Sequence, residues 1–153
     1  MRRRKLLYLL ADGAHARFVE PSAETQAFVT VSQMDGSRRL ETLRAEQRDE
    51  QAGRSFESAG SARHGVGRED VYRRAKEAFA VEAASALGDL LAKHPADGVV
   101  LVAPPRLLRA LRAGLPPGVK VVAELGKDLT KTPDHELGQW LSPLALAPSP
   151  EAR

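Results

Sequence analysis

The stretch Asp97-Gly98-Val99-Val100-Leu101-Val102-Ala103-Pro104-Pro105-Arg106-Leu107-Leu108 decides the fold class. Val99 to Ala103 is apolar without interruption, the pattern of a strand buried on both faces of a parallel sheet. Asp97-Gly98 turns the chain into it. Pro104-Pro105 then opens a short helix over Arg106 to Ala113, with Leu107, Leu108 and Leu111 facing inward. Gly114 to Gly118 punctuates, and Val119 to Leu125 is the next strand. A strand, a helix and a second strand in this order form a crossover unit, which requires a parallel pair in the sheet.

Upstream, Lys5 to Ala11 reads as a strand with little polar interruption. Asp12-Gly13 is a two-residue hairpin signal. Ala14 to Glu20 returns with Ala14, Ala16 and Phe18 alternating against His15 and Arg17. After Pro21-Ser22, Gln26 to Met34 supplies a third strand with Ala27, Val29 and Val31 on one face. Asp35 to Arg68 is polar, charged and rich in Gly, Ser and Arg, so it reads as a long mobile loop. Glu69 to His94 reads as a helix, because Val71, Ala75, Phe79, Ala83 and Leu90 recur at helical steps and Pro95 stops it. Pro133 to Leu141 is the last helix, with Thr132 as N-cap. The tail from Ser142 to Arg153 reads as flexible.

The order β-β-β-α-β-α-β-α predicts an α/β fold with a mixed five-stranded sheet, ribonuclease-H-like in arrangement. Residues 1–141 form one domain carrying the loop 35–68. A chain of 153 residues with 42% apolar and 28% charged residues builds one core of that size.

Composition removes several function classes. The chain has no cysteine, so thiolate metal sites, thiol nucleophiles and disulfides are excluded. Its apolar runs are too short to span a bilayer. Arg2, Arg3, Arg4 and Lys5 before Leu6-Leu7-Tyr8-Leu9-Leu10 look like a signal peptide start, but the run stops at Asp12 with no small-residue cleavage pattern, so a cytoplasmic protein is expected. Lys and Arg total 23 against 20 acids, a net charge of +3. That excess permits an anionic partner without requiring one.

The candidate chemistries follow from residue types. A two-metal nuclease needs converging carboxylates. Asp12 ends the first strand, but Val99 to Ala103 carries no acid. His15, His64, His94 and His135 are too scattered for a zinc site. No metal and no cofactor is expected. Gly53-Arg54-Ser55-Phe56 and Arg63-His64-Gly65-Val66-Gly67-Arg68 place flexible backbone, hydroxyls and guanidinium groups before a helix start, a combination that attracts phosphate. No Gly-Lys-Ser/Thr follows, so this is not a Walker loop. Phe56 is a candidate stacking group for a base. Hydrolysis by Ser55, Ser58 or Ser61 with His64 lacks a rigid third group, and no nucleophile elbow is present.

Taken in order, Leu10 to Phe18, Gly53 to Phe56, Arg63-His64, Leu101 to Leu108, Ala123-Glu124 and Lys127-Asp128-Leu129-Thr130 resemble the bacterial host-attachment protein family, "protein required for attachment to host cells". The resemblance runs from about Leu7 to about Leu141. That family in turn looks related to the central domain of archaeo-eukaryotic peptide-chain release factors, which agrees with the sheet read above. In those factors a Gly-Gly-Gln loop promotes ester hydrolysis. This chain has no Gly-Gly-Gln, and Gly138-Gln139 lies on the last helix, so peptide-release activity does not carry over.

The expected function is a non-catalytic cytoplasmic module that binds structured RNA, ribosomal or transfer RNA. Arg54, Ser55, Phe56, Arg63, His64 and Arg68 are its expected binding residues, with Arg17 and Arg106 beside them. The alternatives are a hydrolase of an ester or phosphoester using Asp12, His15 and His64, and a protein-interaction module that supports attachment indirectly. Asp12 and His15 are the expected polar pocket. The short connections Asp12-Gly13, Pro104-Pro105 and Lys127 to Thr130 are read as serving the fold.

Overall fold

The computed structural model describes residues 4–53 and 61–145. Five strands form one mixed sheet: β1 (Leu6–Ala11), β2 (His15–Pro21), β3 (Phe28–Asp35), β4 (Gly98–Val102) and β5 (Val121–Leu125). The spatial order is β3-β2-β1-β4-β5. β1 pairs antiparallel with β2 and parallel with β4, and β4 is parallel to β5. The mixed five-stranded sheet expected from the sequence is therefore present.

Central position explains the composition of β1 and β4, in which every residue is buried. Leu7, Leu9 and Leu101 enter one core cluster with Phe79, Ala83 and Leu111. Leu6, Tyr8, Leu10 and Val102 enter the other with Leu129, Leu137 and Leu141. Alternation sends successive side chains to opposite faces, so a strand covered on both sides must be apolar throughout. Tyr8 meets Phe28 edge to face, with ring centroids 5.3 Å apart.

The helices are α1 (Ser37–Gly53), α2 (Ser61–Ser85), α3 (Leu87–Lys93), α4 (Pro105–Gly114) and α5 (Gly138–Ala145), with a 3-10 turn at Asp134–Glu136. Four differences from the sequence reading have physical causes. Within the segment 35–68, expected as a loop, residues 37–53 and 61–68 are helical. Ser37–Gly53 has almost no apolar stripe, so periodicity fails there, but Arg, Leu, Glu, Gln and Ala all favour helix. The Asp35 carboxylate accepts from Ser37 N at 2.8 Å at the helix start, and Leu40 is buried. α2 likewise begins at Ser61, earlier than Glu69.

The helix expected to run to His94 breaks at Ala86 into α2 and α3. There Leu87 enters the core and Gly88 passes Pro116, where a Cβ would come within 3.3 Å. The last helix divides into the 3-10 turn and α5 because Asp134 is held by Thr30 and Arg17. Pro133, not Thr132, precedes that turn, and α5 extends past Leu141 to Ala145.

α1 and α2 run antiparallel. Arg39 Nη1 pairs with Glu82 Oε1 at 3.0 Å near the sheet, and the Arg44 guanidinium lies 5.9 Å from the Tyr72 ring further out. Gly36 and Gly13 anchor the root of this arm. A Cβ on Gly36 would lie 2.5 Å from the Phe79 ring, and one on Gly13 would lie 2.4 Å from Lys76 Cγ.

Candidate functional site

The parallel strands β1, β4 and β5 end at one edge of the sheet, the edge where open α/β sheets hold their ligands. Asp12 follows β1, Pro104 and Arg106 follow β4, and Asp128 and Thr130 follow β5. A cleft of about 230 Å³ opens there, lined chiefly by His15, Arg17, Gln33, Asp35, Thr130 and Lys131.

Asp12 organises this edge, and it does so differently from the two-residue hairpin expected of Asp12-Gly13. Neither residue has a positive φ. Instead Asp12 Oδ1 accepts from Ala14 N at 2.7 Å and His15 N at 2.6 Å, so the carboxylate itself closes the turn. Asp12 N donates to His15 O at 2.9 Å. The Thr130 hydroxyl lies 2.6 Å from Asp128 Oδ1 and 3.1 Å from Asp12 Oδ2. Its one proton serves both carboxylates, and this bridge joins the β1–β2 turn to the segment after β5. Burial disfavours the Asp12 anion, but the N–H groups of Ala14 and His15, the Thr130 hydroxyl and the nearby His15 overcome it and hold the pKa below the ordinary value.

This arrangement yields a prediction. Asp12→Ala leaves the Ala14 and His15 N–H groups without their acceptor and costs about 1–2 kcal/mol in urea unfolding. Because the folded-state pKa is lowered, the Asp12 contribution is complete above the unfolded carboxyl value. It is lost as pH falls through the folded one, below about pH 4. Asp12→Asn flattens that acid limb. An unchanged limb contradicts the role given to the carboxylate.

His15 bridges two acids. Its Nδ1 faces Asp12 Oδ1 at 3.5 Å and its Nε2 faces Asp35 Oδ1 at 3.7 Å. Nδ1 is buried without a hydrogen bond, while the side chain as a whole is 43% exposed. The structure thus brings Asp12 and His15 together. A general base needs its second nitrogen directed at substrate, and here that nitrogen faces Asp35. Thr130 is only 8% exposed and its hydroxyl is held between carboxylates, which suits a brace better than a nucleophile. Among the described residues no three of His, Asp and Glu group as metal ligands.

Arg17 was expected near an RNA surface, yet its side chain is only 11% exposed. Nη1 donates to the carbonyls of Leu129 (3.1 Å), Thr130 (3.2 Å) and Thr132. Nη2 reaches Asp134 Oδ1 at 2.5 Å and Thr30 Oγ1 at 3.2 Å. Arg17 therefore positions the 129–134 segment, and its donors are engaged inside the protein.

Arg106 stands exposed on the first turn of α4. It lines an open groove of about 560 Å³ between α2 and α4, together with Arg73, Arg74, Glu77 and Arg109. Arg54, Ser55 and Phe56 lie outside the described residues. Arg63, His64 and Arg68 belong to α2, but their side chains also lie outside what is described. The hydrolase constellation is thus represented by Asp12 and His15 alone.

Periodicity gave no reason to single out Asp128, Thr130, Asp134 or the arginines Arg73, Arg74 and Arg109. Asp128 and Thr130 stood out only within the segment Lys127 to Thr130 that carries the family resemblance, and their place just past the end of a parallel strand, where sites concentrate, was a further signal. Nearby, Lys127 Nζ lies 3.2 Å from the centroid of the Trp140 ring, which fixes the start of the same connection.

The class is an open mixed α/β domain in which a helical hairpin leaves the C-terminal edge of the parallel strands and a polar cleft sits at its root. The chain belongs to the family described as "Protein required for attachment to host cells", whose family model matches residues 7–141. No curated protein matches it. Among the described residues no helix is long and apolar enough to cross a membrane.

Proposed function

We propose that this host-attachment-family protein is a non-catalytic cytoplasmic module that binds structured RNA, with ribosomal or transfer RNA as the partner. The observation that carries this reading is the course of α2. The helix is level with the β1–β2 turn at the Lys76–Gly13 approach. Residues 61–75 precede that point on the same helix and extend it by about 22 Å at the ordinary rise. Arg63, His64, Arg68, Arg73 and Arg74 thus share one helix that leaves the ligand-binding edge of the sheet, and guanidinium groups are the side chains best suited to phosphate. The strand order β3-β2-β1-β4-β5 also suits the ribonuclease-H-like arrangement and the kinship with release-factor central domains that belong to this reading.

The test is co-sedimentation of the full chain with ribosomal subunits and binding to transfer RNA. Affinity falls at least about tenfold between roughly 50 and 200 mM salt, because each neutralised phosphate releases counterions. Arg54→Ala/Arg63→Ala weakens binding without changing the unfolding transition. Unchanged co-sedimentation of that double variant rejects the assignment, as does a wild-type chain that binds neither RNA.

A further inference from the structure

We infer that the groove between α2 and α4 is a second contact surface for the RNA backbone, with Arg106 and Arg109 as its primary phosphate ligands. This deepens the RNA-binding reading and rests on it, but it depends on a different set of residues from the segment 54–68. Four arginines line the groove, Arg73, Arg74, Arg106 and Arg109, against a single acid in its wall, Glu77.

The arginines are not equivalent. Arg112, one turn further along α4, is held by Glu124 in a two-pronged pair, with Nη1 at 2.8 and 2.7 Å from the carboxylate oxygens. Arg73 and Arg74 both pair with Asp70, Arg74 at 2.8 Å. Arg106 and Arg109 have no acidic partner among the described residues, and both are exposed. They are spaced i, i+3, so they stand one above the other on one face of α4. Like charges at that spacing destabilise an isolated helix slightly, and a bound polyanion removes that penalty.

The chemistry of the lining favours a phosphodiester backbone. The remaining lining side chains are Ala78, Ala110, Ala113 and Val81. None is a large apolar anchor of the kind that holds a protein partner or inserts into a membrane. An open trough bordered by guanidinium groups on both sides matches a strand that presents successive phosphates and needs no deep pocket. Asp70 has a definite part in this surface. Its single carboxylate pairs with both Arg73 and Arg74 in the free protein and offsets one of their two charges, and hydrogen bonding to Arg73 lowers its pKa. A phosphate entering the groove competes with Asp70 for those two guanidinium groups.

The experiment measures binding of the full chain to a fluorescent stem–loop RNA across a salt series. Arg106→Ala/Arg109→Ala lowers affinity about tenfold and reduces the salt slope by one to two, roughly one per phosphate contact. Arg38→Ala/Arg48→Ala removes the same charge from exposed positions of α1 and leaves affinity within about twofold. Asp70→Asn raises affinity by a few fold. Equal losses in the α4 and α1 variants overturn the groove assignment, since general charge would then explain both. Unchanged affinity in Arg106→Ala/Arg109→Ala also overturns it while leaving the RNA reading intact. A wild-type chain that binds no RNA defeats both. A wild-type chain that binds polyglutamate as tightly as the stem–loop shows an acidic-protein surface instead and likewise overturns the inference.

Discussion

Arg17→Ala will lower the unfolding free energy by about 3–4 kcal/mol, because a nearly buried cation joins β2 to the segment that follows β5. Its guanidinium serves the carbonyls of Leu129, Thr130 and Thr132 together with Thr30 and Asp134. Truncation removes the guanidinium donors from those carbonyls and takes the cation from beside Asp134, which keeps only its bonds from Thr30. Arg17→Lys keeps the charge and loses the planar fork, so it recovers only part of the loss. The acid limb supplies an independent check. Burial opposes ionisation of Asp134, but the Thr30 hydroxyl and N–H and the Arg17 guanidinium outweigh it and lower the pKa. The native chain therefore loses this stabilisation as pH falls through the lowered value, below the unfolded carboxyl range. In Arg17→Ala the cation is gone and that limb is shallower. Urea unfolding of both chains from about pH 2 to 7 reads the two effects together. An Arg17→Ala chain as stable as the native one would sink the claim that Arg17 braces the cleft.

Gly114→Val carries the second large effect, a loss of roughly 3 kcal/mol and a midpoint lower by about 6–12 °C. At Gly114 the end of α4 meets the backbone of α2. A Cβ there would stand 2.6 Å from the Val81 carbonyl oxygen and 2.8 Å from Val81 Cα. Backbone cannot move aside as a flexible side chain does, so the two helices must separate. The Ser85 hydroxyl, which donates to Gly114 O at 3.1 Å, loses its acceptor in the same movement. Separation also moves Arg106 and Arg109 away from Arg73 and Arg74, so affinity for the stem–loop RNA falls along with stability. Thermal unfolding and RNA titration of one preparation test both consequences, and a native midpoint excludes the close helix contact.

Those two positions also mark how unevenly the sequence announces the structure. The strand Val99 to Ala103 and the helix after Pro104 are legible because burial on both faces demands an uninterrupted apolar run and proline starts a helix at a known place. The strand from Lys5 to Ala11 is legible for the same reason. α1 is not, because it is an exposed helix whose formation rests on propensity and on contacts such as Leu40 in the core and Arg39 with Glu82. A pattern search looks for an apolar stripe, and a solvated arm has little of one.

The candidate site divides along the same line. Asp12 was visible as a turn residue at a strand end, and its neighbour His15 with it. Its bond to Thr130 spans 118 residues of chain, and that of Arg17 to Asp134 spans 117. Arg106 was singled out, but not the arginines of α2 that face it.

By itself the sequence determined the α/β class, the mixed sheet and the strand ends at which a site must lie, because hydrophobic periodicity is a local property that burial writes directly into neighbouring residues. Only the tertiary structure decided that Arg17 is an internal brace while Arg106 and Arg109 face an open groove. Whether a guanidinium meets a carbonyl or water depends on which distant segment folds against it, and no local pattern of residues records that.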